Sequence, residues 1–132
     1  MKLITRDTDY ALRALCFMLG RKNEIVNVAD LVKELKIPGP FLRKILQTLH
    51  KEGVLTAYKG RGGGFLLAKS AERISLLGLM EVFQGKFSLN ECLFKKATCP
   101  QMKSCALRKK VSHIERYVLK ELKPITVASL FK

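Results

Sequence analysis

The sequence predicts a mainly α-helical fold that carries one small β-hairpin and a long C-terminal helix. Apolar residues recur at helical spacing through most of the 132 residues. A glycine-rich stretch, residues 60–64, separates two short apolar runs and predicts the hairpin. A narrow apolar stripe after residue 105 predicts the long helix. With 48% hydrophobic residues the chain can bury one core, so we expect one compact domain with an appended oligomerisation element.

The first predicted helix begins after Thr5, which can cap it, and runs to about Leu19. Its apolar residues form a broad surface for packing against the helices that follow, and Gly20 closes it. Cys16 belongs to this apolar surface, so we expect it to be a small core residue. Asp9 lies in the first turn, where the helix dipole favours a carboxylate.

A helix, a turn and a second helix follow. Asn27 can cap the first of them, which should run from Val28 to Leu35. Pro38 cannot continue that helix because it lacks an N–H group, whereas Pro40 suits the first turn of a new helix. The second helix carries an apolar stripe at positions i, i+3, i+4 and i+7, which consists of Leu42, Ile45, Leu46 and Leu49.

A hairpin comes next, with strands predicted at residues 54–58 and 65–67, and Gly53 ends the helix before it. Lys59 and Arg61 lie among the glycines at its tip. Helix, turn, helix and hairpin in this order form a winged helix-turn-helix. That fold places its second helix in the major groove of DNA and its hairpin tip near the backbone or the minor groove.

The chain should divide into three parts. Residues 1–85 form the DNA-binding domain, which ends in a helix over residues 76–84. Residues 86–104 form a cysteine-bearing loop without periodicity, and residues 105–132 form a dimerisation helix with a C-terminal turn that packs back. The apolar stripe of this last helix resembles a coiled-coil seam and predicts a homodimer, with packing onto the same subunit as the alternative. The stripe consists of Leu107, Val111, Ile114, Val118 and Leu122.

The chain is strongly basic, with 25 Lys and Arg against 11 Asp and Glu and a formal net charge of +14. A folded surface with this charge attracts polyanions. A membrane surface is the rival polyanion, but the longest apolar run, around residues 74–83, is too short to span a bilayer. The N-terminus has no apolar signal core, so we expect a cytoplasmic protein that does not enter membranes.

Double-stranded DNA is therefore the predicted partner. Arg43 and Lys44 on the second helix can contact bases or phosphates, since arginine pairs bidentately with guanine. Gln47 can face the groove as well, with a solvated helix face as the alternative. A homodimer would place two such helices about one helical turn apart, ~34 Å, on a palindromic operator. At the hairpin tip, the candidates for phosphate or minor-groove contact are Lys59, Gly60 and Arg61.

Three of the four cysteines, Cys92, Cys99 and Cys105, form a C-x6-C-x5-C array. Structural zinc sites usually contain C-x2-C pairs, which this array lacks. Thiolates spread along a loop suit an iron–sulfur cluster, in which separate metal atoms can each take one cysteine. The expected cofactor is therefore a 4Fe–4S or a 2Fe–2S cluster. A thiol or disulfide switch is the first alternative, and zinc or no function is the next.

Nearly the whole chain resembles the family of small winged-helix repressors that includes IscR, NsrR and CymR. The resemblance rests on TDYALRAL at residues 8–15, FLRKIL at residues 41–46, KGRGGGFLL at residues 59–67, and the three cysteines. It implies a dimeric transcriptional regulator that binds DNA and whose cluster reports iron–sulfur status, nitric oxide or oxidants.

A cluster with three cysteine ligands needs a fourth ligand or an open iron. The IscR branch supplies a histidine three residues after the last cysteine, but Arg108 occupies that position here and cannot ligate. The NsrR branch supplies an aspartate from the first helix of the other subunit, and the resemblance assigns this role to Asp9 of the partner subunit. His113 is the second choice for the fourth ligand. The helix dipole remains the alternative explanation for Asp9.

Two rival functions have less support. An enzyme of thiol redox chemistry would need a C-x-x-C motif or a cofactor fingerprint, and the glycine-rich tip does not lead into a phosphate-binding helix. A cluster-free repressor of the same fold, controlled by thiol chemistry or by a partner protein as in the CymR branch, is the alternative function.

The recognition helix begins with Pro38 and Pro40 and carries Arg43, where IscR-like members present serines and a glutamate. The operator sequence therefore cannot be transferred from them.

Overall fold

The computed structural model describes residues 2–21, 23–89 and 105–131. The described residues form a mainly helical fold with one two-stranded antiparallel hairpin, which confirms the predicted fold class. In chain order the elements are α1 (Arg6–Gly20), α2 (Val28–Leu35), α3 (Gly39–Lys51), β1 (Leu55–Tyr58), β2 (Gly64–Leu67), a short 3-10 helix (Ala71–Arg73), α4 (Leu76–Gln84), α5 (Ala106–Leu122) and α6 (Val127–Leu130).

Helix α1 is the central helix of the core. It packs against α2, α3, α4, α6 and strand β2, and its residues Ala11, Ala14 and Leu15 are fully buried. Alanines on this face let the neighbouring helices approach closely, while Leu15 fills the space between them. Every helix whose orientation matters for a DNA-binding face therefore rests on α1.

The turn between α2 and α3 follows the predicted chemistry. Asn27 caps α2, since its side chain accepts a hydrogen bond from the backbone N–H of Asp30 at 2.8 Å. Helix α2 ends at Leu35, its C-cap residue Lys36 adopts the left-handed conformation, and Pro40 lies in the first turn of α3. The apolar stripe predicted for α3 is buried, which turns its opposite face to solvent.

The hairpin pairs Leu55 with Leu67 and Tyr58 with Gly64 at the two ends of its register. The segment before α2 joins its outer edge, because Val26 and Phe65 exchange backbone hydrogen bonds of 2.9 and 2.8 Å. This contact attaches the hairpin to the helical core instead of leaving it as an isolated ribbon, which would be marginally stable in water.

The C-terminal turn packs back as predicted. Ser75 pairs with Thr126 in an antiparallel bridge, and Val127 on α6 is fully buried in the core shared with α1. This turn therefore shares the core formed by the N-terminal helices, although the sequence analysis grouped it with the predicted dimerisation helix. Among the described residues, no helix is both long and apolar enough to cross a bilayer.

Candidate nucleic-acid interface and cysteine site

Helix α3 presents three predicted DNA-contacting residues on one solvent-facing surface. Arg43, Lys44 and Gln47 are exposed, while the buried face of the same helix anchors it to the core. The helix contains no Asp or Glu along its whole length. Its outer face is therefore uniformly cationic or neutral, which suits a polyanionic groove.

The hairpin tip presents the other predicted contacts. Lys59, Gly60 and Arg61 are exposed, and Gly60 adopts a positive φ of 85° with open space around it. The Gly63 N–H donates to the Gly60 carbonyl at 3.0 Å and closes the tip. A tip that lacks bulky side chains can approach a phosphate backbone closely.

Two hydrogen bonds attach the hairpin to the end of α3. The His50 Nδ1–H donates to the Leu55 carbonyl at 3.1 Å, and the Val54 N–H donates to the Leu49 carbonyl at 2.9 Å. These bonds join the last turn of α3 to the start of the hairpin, so the helix and the hairpin should move as one unit. The sequence contains no carboxylate between Glu52 and Glu72, so the whole hairpin shares the cationic character of α3.

Of the predicted cluster ligands, Cys105 lies at the N-cap position of α5 and is partly buried. Its Sγ accepts a hydrogen bond from the backbone N–H of Arg108 at 3.4 Å. Cys92 and Cys99 lie outside the described residues. Within residues 2–21, 23–89 and 105–131, no three His, Cys, Asp or Glu side chains are grouped as metal ligands. The Cys105 sulfur is only partly buried and accepts one hydrogen bond, which is compatible with a metal ligand.

Asp9 occupies the first turn of α1 with its side chain 45% exposed. Its Oδ2 accepts a hydrogen bond from the Arg13 Nε–H at 2.9 Å, an i,i+4 ion pair. The carboxylate is therefore reachable from outside the subunit, although a ligand role would compete with Arg13. His113, the second choice, is exposed on α5. Cys16 packs partly buried against the main core, and burial raises the pKa of its thiol, as expected for a structural cysteine.

The sequence did not predict two polar arrangements at the start of α1. The Gln84 Oε1 accepts hydrogen bonds from the Thr5 N–H at 3.0 Å and the Thr8 hydroxyl at 2.7 Å, while its Nε2–H donates to the Leu3 carbonyl at 3.0 Å. The Arg6 guanidinium lies 4.5 Å from the centroid of the Phe41 ring in the first turn of α3. These partners are far apart in sequence, so no local pattern could have paired them.

Comparison with known proteins places this geometry in a family. The sequence model of Rrf2, described as an iron-dependent transcriptional regulator, matches residues 4–132. The chain belongs to the Rrf2 family. An Rrf2-type relative, the HTH-type transcriptional regulator NsrR of Oceanobacillus iheyensis, is 33% identical over 128 residues, with 95% of this chain and 86% of the relative covered.

Solved structures agree on the Rrf2 fold. The chain is similar to CymR, the global cysteine regulator of B. subtilis, with a TM-score of 0.79, 18% identity, and coverage of 98% of this chain and 96% of that one. It is also similar to IscR of T. potens, with a TM-score of 0.71, 17% identity, and coverage of 98% and 85%. The predicted resemblance and the winged helix are confirmed.

Membership in the Rrf2 family makes the chain a DNA-binding transcriptional regulator. The relatives are named as regulators, which confirms the prediction of a regulator instead of an enzyme. The chain is therefore similar both to NsrR and IscR and to CymR, a global cysteine regulator.

Proposed function

We propose that this protein is a homodimeric repressor that binds a palindromic operator and whose affinity for it is controlled by an iron–sulfur cluster. The observation that supports operator binding is the shared cationic surface of α3 and the hairpin tip. Its exposed basic residues are Arg43, Lys44, Lys59 and Arg61. Backbone and His50 hydrogen bonds join the two elements, so both can engage one duplex together.

Within this surface the roles divide by chemistry. Arg43 and Gln47 on α3 read base edges, because arginine and glutamine can each make two hydrogen bonds to one purine. Lys44, Lys59 and Arg61 contact phosphates or the minor groove, where positive charge matters more than hydrogen-bond pattern. Gly60 allows the tip to approach the backbone.

The dimer is proposed to form along α5. Leu107 and Ile114 are exposed large apolar side chains on this helix, and the partly buried Val111 lies in the same stripe. Val118 instead packs partly against the cluster of Leu76, Met80 and Leu122 in its own subunit. Burying such a stripe against its own copy removes apolar area from water. To read a palindromic operator, the dimer must hold its two α3 helices about one helical turn (~34 Å) apart.

The cluster is proposed to be of the 4Fe–4S or 2Fe–2S type, held by Cys92, Cys99 and Cys105. Asp9 of the partner subunit is the proposed fourth ligand, with His113 as the second choice. When bound, such a group supplies a metal centre that reacts with oxidants or nitric oxide. A carboxylate is a weaker ligand for iron than a thiolate, so it would leave that centre chemically accessible.

Residues of the chain itself would transmit the state of the cysteine segment to DNA. The segment begins immediately after α4, whose last residue, Gln84, is hydrogen-bonded to the start of α1. Helix α1 in turn packs directly against α3. A change in how the segment is held would therefore reach the recognition helix through α1, with a coupling free energy on the order of 1–3 kcal/mol in typical allosteric systems.

The DNA half is tested with a labelled duplex that the wild-type protein selects from a randomised library. Arg43→Ala should weaken binding by about 1–3 kcal/mol and relax specificity at one position of the operator, as removal of a bidentate base contact does. Fluorescence anisotropy measures the affinity. Lys120→Ala, on the exposed surface of α5, is the control. Equal losses for both variants would contradict the assignment of Arg43.

The cluster half is tested by anaerobic purification followed by analysis of iron, sulfide and visible absorbance. Cys105→Ser should lower the iron content, and Asp9→Ala should change the spectrum or shorten the lifetime of the cluster in air. Operator affinity is then compared with and without the cluster. A colourless preparation without iron would contradict the proposed cluster. Equal operator affinities of the forms with and without the cluster would contradict its control of DNA binding.

A second candidate is a cluster-free repressor controlled by thiol oxidation or by a partner protein. The observation that favours it is the partial burial of Cys105, which leaves its sulfur within reach of an oxidant as well as of a metal. An iron-free protein whose operator affinity changes with oxidant would support this candidate.

A further inference from the structure

A cation–π contact joins the first turns of α1 and α3. The Arg6 guanidinium carbon lies 4.5 Å from the centroid of the Phe41 ring. Phe41 is 42% exposed, so it is not a core residue, and the cation covers part of a ring that would otherwise face water. Arg6 also forms a 3.6 Å ion pair with Asp7. The contact is therefore a surface connection between two helices, one of which is the proposed recognition helix.

The first turn of α3 has little local support of its own. Its N-cap residue, Pro38, makes no side-chain hydrogen bond to the helix, and the first turn contains no acidic residue. By comparison, Asn27 caps α2 and Ser75 caps α4 through their side chains. An uncapped helix start frays more readily, so its position depends on tertiary contacts.

The backbone around Arg6 is held firmly. The Thr5 N–H and the Thr8 hydroxyl both donate to the Gln84 Oε1, and Thr8 is fully buried. Arg6 therefore projects from a fixed turn, and its contact with Phe41 can transmit that fixed position to α3. Arg43 follows Phe41 by two residues, so a shift of the first turn would move the backbone from which the Arg43 side chain extends.

We propose that Arg6 is a positioning residue for DNA recognition: its stack on Phe41 holds the first turn of α3 in the orientation that lets Arg43 read the operator. This inference rests on the proposed function of α3. Arg6 acts through Phe41, so its role requires both members of the pair.

The pair predicts a pattern that a direct phosphate contact by Arg6 would not give. If Arg6 bound a phosphate itself, its removal would lower the salt dependence of DNA binding by about one unit in the log–log slope, and Phe41 would be dispensable. If Arg6 positions α3, the slope stays the same and loss of either residue has the same effect.

The experiment compares Arg6→Gln, Phe41→Leu, the double variant and Arg6→Lys by fluorescence anisotropy on the duplex that the wild type selects from a randomised library. Arg6→Gln and Phe41→Leu should each weaken binding about two- to fivefold, the range of an exposed cation–π contact. The double variant should be no weaker than either single variant, and Arg6→Lys should restore part of the affinity because it keeps the cation.

The matched control is Arg21→Gln. Arg21 lies 4.8 Å over the Phe17 ring, a second cation–π pair formed at the other end of α1. Its loss should leave the affinity unchanged, and circular dichroism should show wild-type helix content for every variant.

Wild-type affinity in Arg6→Gln, additive losses in the double variant, or a lowered salt slope would overturn the inference while leaving the proposed function intact. Failure of the wild-type protein to select any duplex would instead overturn the proposed function.

Discussion

At the scale of single residues, the glycines of the hairpin serve two different purposes. Gly60 and Gly62 have φ angles of 85° and 74° with open space around them, so they provide the left-handed backbone of the turn. Gly63 and Gly64 are needed because neighbouring backbone carbonyl groups leave no room for a Cβ atom. A Cβ on Gly63 would lie 2.4 Å from the Tyr58 carbonyl oxygen, and a Cβ on Gly64 would lie 2.4 Å from the Val26 carbonyl oxygen.

Gly64→Ala should destabilise the fold by about 1–3 kcal/mol, because a backbone carbonyl cannot move aside as a flexible side chain can. Urea denaturation measures the free energy of unfolding. Gly39→Ala is the matched control, since its Cβ would meet only the Val32 side chain at 3.8 Å, an ordinary contact. Similar stabilities for the two variants would contradict a close approach of the Val26 carbonyl to Gly64.

At the scale of elements, α5 divides into two parts. Its C-terminal end packs inside its own subunit, where Leu122 is only 6% exposed and forms a small cluster with Leu76 and Met80. Its N-terminal part leaves Leu107 and Ile114 at 69% and 52% exposure. The predicted stripe is continuous in sequence, but Leu122 packs against α4 and leaves little surface for a partner subunit. The proposed dimer interface therefore centres on the first three turns of the helix.

Ile114→Glu should convert a dimer into a monomer, because it places a charge in the middle of a buried apolar stripe. Sedimentation velocity measures the mass. Ser112→Glu introduces the same charge on an exposed position of the same helix and should leave the dimer intact. A monomeric wild-type protein, or a dimer that survives Ile114→Glu, would rule out this interface.

At the scale of the whole molecule, the net charge of +14 makes DNA binding sensitive to salt. Each phosphate that the protein neutralises releases condensed counterions, and the slope of log affinity against log salt concentration falls by about 0.9 for each contact. The slope therefore counts phosphate contacts, whereas the affinity at one salt concentration does not.

Lys59→Gln should reduce the magnitude of this slope by about one and weaken binding on all duplexes to a similar extent, as a phosphate contact does. Anisotropy titrations at several NaCl concentrations provide the slope. Lys120→Gln removes the same charge from α5 and should leave the slope unchanged. If both variants change the slope equally, the effect belongs to the overall charge of the protein and not to the hairpin tip.

The sequence by itself determined the order of the elements, the buried face of α3, the cap of α2 and the cationic hairpin tip. These features depend on spacing, turn chemistry and composition, which are local. Only the tertiary structure decided that Arg6 meets Phe41, that Gln84 holds the start of α1, and that Leu122 turns inward. Each of these pairs residues at least 35 positions apart. Such contacts depend on how packed helices cross, and helical periodicity specifies which face is buried but not which residue it meets.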